Sequence, residues 1–241
     1  MVVALILAGG VGSRLGADRP KQFLEILGKP ILAYTAEIYQ NYSGVDAIEI
    51  VCHKSWKDYL DEMVQRYQLT KVKWIADGGE TFQESVVNGI QNLNGKIDQK
   101  DIVMIHYGVS PFTSDAILDD AIKVCRKNNM SVSCTPCYQL MGSNEEGQVS
   151  KNWVDRDAMM QIACPQSFRY GYLLDIYERA EKEGILEKTE PHTTSLMYAL
   201  GDTIYQSYGN QVNLKITTKE DLDIFEGYVL MKQKKLLPQG K

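Results

Sequence analysis

What the sequence lacks excludes several classes of protein. No stretch approaches the roughly 18 consecutive apolar residues that a membrane-spanning helix needs. The formal net charge is −5, so we expect no surface that wraps nucleic acid, which requires a basic balance. The apolar run of residues 1–8 has no basic residues before it and ends at two glycines, so it predicts a buried first strand and not a signal peptide.

Cysteine is sparse and irregularly placed. The five cysteines are Cys52, Cys125, Cys134, Cys137 and Cys164, an odd and dispersed set that predicts free thiols and a reducing, cytoplasmic location. Cys134 and Cys137 form a C-x-x-C pair, but they end a predicted strand instead of starting a helix, where a thiol pKa is lowered. No second Cys/His pair follows at zinc spacing, so neither a redox nor a metal role is favoured.

Short apolar runs alternate with amphipathic stretches along the chain. Strands are predicted at 2–7, 47–52, 72–76, 101–106, 131–136, 203–208 and 214–216. Helices are predicted at 31–39, 56–67, 81–93, 114–128, 170–183, 193–200 and from residue 219, with Thr81 and Glu84 as a capping box. This order predicts an α/β protein with one doubly wound, mostly parallel sheet. Residues 138–160 are polar and turn-rich, and we expect a protruding β-arm on a single domain spanning 1–241.

A glycine-rich segment, residues 7–16, follows the first strand directly. Its glycines let the backbone approach a ligand, and the N–H groups of such a loop can cradle phosphate oxygens. Arg14 can form a bidentate contact with phosphate, and Lys21 adds a second cation in the tetrapeptide 20–23. The loop alone is equally compatible with ordinary turn chemistry, because it matches neither GxGxxG nor the P-loop and lacks Gly-Lys-Ser/Thr.

Five motifs, in order along nearly the whole chain, resemble the cytidylyltransferases that act on 2-C-methyl-D-erythritol 4-phosphate or ribitol 5-phosphate. They are residues 7–24 (LAGG-x-G-x-RLG…PKQFL), 77–86 (DGGET…SV), 105–112 (IH…PF), 164–168 (CPQSF) and 213–218 (NLKITT). The resemblance implies a Rossmann-like nucleotidyltransferase fold. It also implies that CTP binds as a magnesium complex, after which an oxygen of a polyol phosphate attacks the α-phosphorus in line and pyrophosphate leaves.

The same resemblance implies roles for individual residues. It places Arg14, Lys21 and Lys215 at the reacting phosphates as the catalytic cations. It assigns the nucleotide to Leu7, Ala8, Gly9, Gly10, Gly12, Gly79, Glu80, Thr81, Ser85 and Gly108. Arg156 resembles an arginine of the arm that crosses a homodimer interface to the acceptor. Without the motifs, Ser85 would be a helix-end serine, Arg156 a surface arginine, and Lys215 an edge-strand lysine that prevents aggregation.

The departures from the family are concentrated on the acceptor side. Tyr107 stands where the family has aspartate, Ser110 and Phe82 where it has arginine, and Cys164 where it has threonine. His192 lies in segment 191–195, which replaces the family's Thr-Asp-(Asp/Glu)-Ala-Ser. Replacing both partners of an ion pair can be nearly neutral, whereas removing one is expensive, so the pattern indicates a remodelled pocket. We therefore expect Tyr107, Ser110, Cys164, His192 and Arg156 to contact an acceptor other than methylerythritol phosphate.

Three readings follow. The first is a cytidylyltransferase for a ribitol, glycerol or related polyol phosphate used in surface polysaccharides, or for methylerythritol phosphate itself. The second is a non-catalytic homologue that binds nucleotide or a partner protein. The replacement of the family's aspartate and arginine supports this reading. The third is a sugar-1-phosphate nucleotidyltransferase with another base, because Gly-Gly-x-Gly-x-Arg openings are shared by those enzymes. The lost aspartate leaves the Mg²⁺ ligands unassigned.

Overall fold

The computed structural model describes residues 1–10, 19–190 and 192–234. In them, seven strands form one sheet: Val2–Ala8 (β1), Ala47–Cys52 (β4), Val72–Asp77 (β5), Ile102–Tyr107 (β6), Met130–Pro136 (β7), Met160–Arg169 (β10) and Gln206–Tyr208 (β11). Their order across the sheet is β11-β7-β10-β6-β1-β4-β5. All neighbours are parallel except β10, which is antiparallel to both β6 and β7. The predicted α/β class and mostly parallel sheet are confirmed.

Helices cover both faces of this sheet. They are Ile31–Asn41 (α1), Lys57–Arg66 (α2), Phe82–Asn92 (α3), Asp115–Asn128 (α4), Tyr170–Lys182 (α5), Thr193–Ala199 (α6) and Lys219–Gln233 (α7). Alternate residues of β1 explain the layering: Ala4 and Ile6 pack with α1, α2 and α4, whereas Val3 and Leu5 pack with α3, α5 and α6. Every residue of β1 is buried, as expected of a central parallel strand covered on both faces.

The strand pattern differs from the sequence prediction in three places. Strand β10 was not predicted, because its sequence contains Pro165 and buried polar residues in place of an apolar run. Pro165 lies where the register with β7 shifts between Ile162 and Gln166, so its missing N–H falls at an interruption of the ladder. The strand predicted at 214–216 is wrong, since that segment is irregular, and the one predicted at 203–208 shortens to β11.

The predicted arm is present as a hairpin. Met141–Gly142 (β8) pairs antiparallel with Trp153–Val154 (β9), and an isolated bridge joins Glu145 to Val149. A smaller hairpin pairs Glu25–Ile26 (β2) with Lys29–Pro30 (β3) ahead of α1. Among the residues that the structure describes, no helix is long and apolar enough to cross a membrane.

Candidate active site

A cleft of about 410 Å³ opens at the carboxyl ends of β6, β1, β4 and β5. Open α/β sheets bind ligands at this edge, outside the carboxyl ends of parallel strands. The lining residues come from the loops that follow those strands and from the segment before α7: Leu7, Ala8, Gly9, Gly10, Lys21, Gln22, His53, Gly79, Glu80, Thr81, Phe82, Ser85, Tyr107, Val109, Lys215 and Thr217. The fold therefore brings together four of the five motifs that are far apart in sequence.

A buried glutamine fixes residues 8–10, the described start of the first glycine loop. Gln22 Nε2 donates to the carbonyl oxygens of Ala8, at 2.6 Å, and Gly10, at 2.8 Å. Both hydrogen bonds are accepted by carbonyl groups. They therefore fix the turn after β1 and leave its N–H groups available to a ligand. Gly9 lies so close to the second loop that a Cβ atom there would be 2.9 Å from Ser85 Oγ. A side chain at this position would therefore separate the two loops.

The second glycine loop leads into α3 through the predicted capping box, which is confirmed. Thr81 Oγ1 accepts from the Glu84 backbone at 3.0 Å, and the Glu84 carboxylate accepts from the N–H groups of Glu80 and Thr81. Ser85 Oγ accepts from the Gly79 N–H at 3.0 Å and donates to the Thr81 carbonyl at 3.0 Å. Three successive N–H groups are thus already bonded, so this loop can offer a ligand chiefly carbonyl oxygens.

Lys215 reaches the cleft from an anchored irregular segment. The Ile216 N–H donates to the Val109 carbonyl at 2.9 Å, and Ile216 is buried with Val109 and Phe225 of α7. The Asn213 side chain donates to the Cys164 carbonyl at 2.6 Å. The Lys215 ammonium lies 4.2 Å from the centroid of the Tyr107 ring, within range of a cation–π interaction.

Three of the positions that depart from the family motifs form one aromatic cluster. Ring centroids are 5.9 Å apart for Phe82 and Tyr107, 5.2 Å for Phe82 and His192, and 5.7 Å for Tyr107 and His192. Tyr107 Oη lies 3.0 Å from His192 Nδ1. Burial raises the pKa of Tyr107, and burial together with the nearby Lys215 charge lowers the pKa of His192. His192 Nε2 lies 3.6 Å from the Glu190 carboxylate, which favours a proton on Nε2, so Nδ1 accepts from the phenol.

Ser110 and Cys164 lie behind this cluster and do not line the cleft. Both are buried, and the Tyr107 N–H lies 3.4 Å from Cys164 Sγ. Burial raises the pKa of Cys164 to about 12, so its thiol stays protonated and is no nucleophile.

His106 is buried between the Tyr39 hydroxyl, 2.7 Å from Nδ1, and the Ser110 carbonyl, 2.9 Å from Nε2. These two hydrogen bonds give His106 a structural role, and burial lowers its pKa to about 4.

Two further predicted residues lie outside the cleft. The Gly108 N–H donates to the Leu7 carbonyl at 2.9 Å, and its own carbonyl accepts from Thr35 Oγ1 at 3.1 Å. Gly108 thus joins β6, β1 and α1 through its backbone. Arg156 lies in the arm, where its guanidinium donates to the Tyr138 carbonyl at 2.9 Å and remains substantially exposed. Arg14 and Gly12 fall outside the described residues.

Sequence reasoning assigned no role to Gln22, His53, Val109 or Thr217, all of which line the cleft. Gln22 was noted only as part of the tetrapeptide 20–23, and no local pattern predicts the two carbonyl groups to which it donates. His53 follows β4 directly and lines the cleft beside the glycine loops. Its place after a parallel strand was the signal that could have found it.

The described residues do not by themselves build a magnesium site. Glu80 is the only carboxylate among the described lining residues, and the described part of the chain contains no cluster of three or more His, Cys, Asp or Glu side chains that could hold a metal. The hydroxyl of Tyr107, at the family's aspartate position, is bonded to His192. Mg²⁺ prefers several oxygen ligands, which these groups do not supply.

Comparison with known proteins places these features in context. Residues 2–231 match the sequence model of the IspD family, described as 2-C-methyl-D-erythritol 4-phosphate cytidylyltransferase. The chain is 33% identical over 233 residues to the ribitol-5-phosphate cytidylyltransferase of Lacticaseibacillus paracasei, covering 97% of this chain and 100% of that one. It is 36% identical over 224 residues to the 2-C-methyl-D-erythritol 4-phosphate cytidylyltransferase of Clostridium acetobutylicum, covering 92% and 94%.

The fold agrees with these matches. The crystal structure of 4-diphosphocytidyl-2C-methyl-D-erythritol synthase from Anaerococcus prevotii superposes with a TM-score of 0.79 and 23% identity, covering 95% of this chain and 96% of that one. At this identity the superposition establishes the fold alone.

Proposed function

Because the chain belongs to the IspD cytidylyltransferase family and is therefore a nucleotidyltransferase, we propose that it transfers CMP from CTP to a small polyol phosphate, of which ribitol 5-phosphate is the leading candidate. An oxygen of the acceptor phosphate forms a bond to the α-phosphorus, the bond from that phosphorus to the β-phosphate oxygen breaks, and pyrophosphate leaves. We expect Mg²⁺ to enter on the triphosphate, whose own oxygens would hold most of it.

The observation that carries the proposal is the composition of the cleft. Two glycine loops let the backbone approach a ligand, and two lysines, Lys21 and Lys215, face the same space. A phosphoryl-transfer enzyme need not form a covalent bond to its substrate. Positioning of the substrates and neutralisation of their charge account for most of the rate enhancement. Lys21 and Lys215 provide part of that charge, and Arg14 belongs to the same proposed set.

The second loop suits a cytosine base. Cytosine presents an exocyclic amino group, a donor that needs an acceptor. The N–H groups of residues 79–81 are engaged by Glu84 and Ser85, so acceptor groups remain for a base in this part of the cleft. Gly79, Glu80, Thr81 and Ser85 are therefore proposed to contact the nucleoside, and Leu7 to Gly10 the phosphates.

The acceptor is proposed to differ from methylerythritol phosphate. The support is the joint replacement of three motif positions by Phe82, Tyr107 and His192, which contact one another in one uncharged cluster at the cleft. Relatives named for ribitol 5-phosphate and for methylerythritol phosphate are about equally similar in sequence, so this cluster is the basis for preferring a different acceptor.

A homodimer through the arm is part of the proposal. The arm exposes Leu140 and Trp153, which are 90% and 79% accessible, and large apolar side chains of this exposure favour an interface. A second copy of this chain is the proposed partner, and Arg156 of that copy would complete the acceptor site.

The decisive experiment measures pyrophosphate release with each of the four nucleoside triphosphates, Mg²⁺ and a panel of polyol phosphates. Release with CTP and ribitol 5-phosphate or another polyol supports the proposal and identifies the acceptor. Comparable turnover of methylerythritol phosphate contradicts the proposed change of acceptor. CTP binding without turnover of any acceptor, measured by calorimetry, would favour a nucleotide-binding homologue, and preference for another base would favour the sugar-nucleotide reading.

A further inference from the structure

The ammonium group of Lys215 faces the cleft and rests against an uncharged aromatic ring. Among the described residues no carboxylate forms an ion pair with it, and the ammonium lies over the Tyr107 ring, with Nζ 4.2 Å from the ring centroid. A carboxylate in this place would offset the positive charge that a triphosphate needs. An aromatic face attracts a cation through its quadrupole and leaves the full charge available to an anionic ligand.

The Tyr107 ring is itself held on several sides. Its hydroxyl donates to His192 Nδ1 at 3.0 Å, its ring packs against Phe82, and its backbone N–H contacts Cys164 Sγ at 3.4 Å. Phe82 begins α3, and His192 directly precedes α6, so two helices and β6 converge on one side chain. A ring fixed in this way can define where a flexible lysine side chain rests.

We propose that Tyr107 is a positioning residue that holds the Lys215 ammonium in the cleft, and that Phe82 and His192 hold Tyr107. The part concerning catalysis rests on the proposed function, in which Lys215 meets the phosphates of CTP. The part concerning position does not, because it is a statement about the free protein. The cluster thus substitutes for an ion pair: it orients a cation without neutralising it.

The position of Lys215 is tested first, without reference to activity. The protein is labelled with ¹³C-lysine, and the Lys215 signal is assigned by its loss in Lys215→Met. The ε-protons of Lys215 should be shifted upfield by the Tyr107 ring current. The shift should persist in Tyr107→Phe, which keeps the ring, and disappear in Tyr107→Leu. Absence of the shift in the wild-type protein overturns the proposal.

The catalytic part is tested by a double-mutant cycle on pyrophosphate release. Tyr107→Leu should lower kcat about tenfold or more and change the Kd of CTP little, and Lys215→Met should lower kcat by about 10². If Tyr107 acts through Lys215, adding Tyr107→Leu to Lys215→Met should cost no further activity. An equal loss from Tyr107→Leu in both backgrounds would contradict this. Tyr198→Leu, which removes an exposed tyrosine from α6, is the matched control and should leave kcat unchanged.

Folding is checked by thermal denaturation of every variant, and Tyr107→Met, which also removes the ring, takes the place of Tyr107→Leu if that variant does not fold. A wild-type protein that shows the upfield shift but releases no pyrophosphate with any acceptor would defeat the proposed function and leave the positioning of Lys215 standing. An active protein with an additive cycle would leave the proposed function standing and defeat the catalytic role of Tyr107.

Discussion

Gly9 and Ser85 join the two glycine loops by direct approach: a Cβ atom on Gly9 would lie 2.9 Å from Ser85 Oγ. The serine hydroxyl cannot simply turn away. It accepts from the Gly79 N–H and donates to the Thr81 carbonyl, so moving it breaks bonds that shape the second loop. The close approach therefore couples the phosphate side of the cleft to the proposed nucleoside side.

Gly9→Ala is expected to weaken CTP binding about tenfold, which corresponds to about 1.4 kcal/mol. The added methyl group must push the loops apart or displace Ser85 Oγ from its two hydrogen bonds. Isothermal titration calorimetry with CTP measures the effect.

Gly10 provides the matched control. Among the residues that the structure describes, a Cβ atom on Gly10 would meet nothing within 4 Å, so Gly10→Ala should change the Kd of CTP much less. Gly9→Ala combined with Ser85→Ala removes the contact and should restore part of the lost affinity. Equal losses for the two single glycine variants would show that the loop tolerates no side chain anywhere, and that Ser85 is not the cause.

Gln22→Ala should lower both stability and CTP affinity. The variant loses two hydrogen bonds to the Ala8 and Gly10 carbonyls. Because these groups are buried, the loss should lower the free energy of unfolding by roughly 1–3 kcal/mol. Urea unfolding followed by circular dichroism measures the free energy of unfolding, and calorimetry measures the affinity. Gln65→Ala, at an exposed position on α2, should change neither by a measurable amount. Wild-type CTP affinity in a destabilised Gln22→Ala protein would limit Gln22 to a folding role.

Glu49→Gln is expected to raise stability above neutral pH. Glu49 is fully buried in β4, its Oε1 accepts from Asn92, and Oε2 has no hydrogen-bond partner among the described residues. Burial raises the pKa of Glu49 from 4.5 to about 7. A carboxyl group whose pKa is raised by folding stabilises below its unfolded pKa, and that contribution is lost as pH rises through about 7. At about 1.4 kcal/mol per unit, the loss is about 3 kcal/mol.

The measurement is the free energy of unfolding of Glu49→Gln minus that of the wild-type protein between pH 4 and 8. This difference should increase with pH by about 3 kcal/mol and level off above pH 7. His106, whose pKa is lowered to about 4 by burial, acts in the opposite direction in the wild-type protein, because its stabilisation is lost as pH falls. The difference removes that contribution. Glu62→Gln, exposed on α2, is the control, and a pH-independent difference for Glu49→Gln would contradict the prediction.

The arm is expected to control oligomeric state. Leu140→Ser with Trp153→Ser should convert a dimer into a monomer, because both side chains are largely exposed in the single chain and an apolar interface depends on their burial. Sedimentation velocity measures the change, and CTP affinity should be retained, because neither residue lines the cleft. Ile224→Ser, an exposed apolar residue of α7, should leave the association state unchanged. A wild-type protein that is monomeric at micromolar concentration would contradict the proposed arm-mediated dimer.

Local chemistry determined much of the fold. The apolar runs of β1 and β4 are long enough and flanked clearly enough to be read as buried strands, and Thr81 with Glu84 identified the start of α3 within one residue. The glycine loop with Lys21, the second glycine motif and Lys215 were also readable as separate motifs, because each uses residue types that a phosphate or a close backbone approach requires.

Only the tertiary structure decided what depends on residues distant in sequence. Residues 160–169 form strand β10 because β6 and β7 pair with them on both sides. The sequence of β10, with its proline and buried polar residues, does not predict either pairing. The carbonyl partners of Gln22 and the approach of Ser85 to Gly9 likewise arise from the packing of loops.

The aromatic cluster likewise depends on contacts between residues that are distant in sequence. Phe82, Tyr107 and His192 appear in the sequence as three separate departures from a motif, 25 and 85 residues apart. Folding places their rings within 6 Å of one another and sets the Lys215 ammonium over one of them. The sequence by itself determined which residue types are available to bind a nucleotide. The tertiary structure decided which of them act together, because the contacts that orient a charge form between segments that only the sheet brings into proximity.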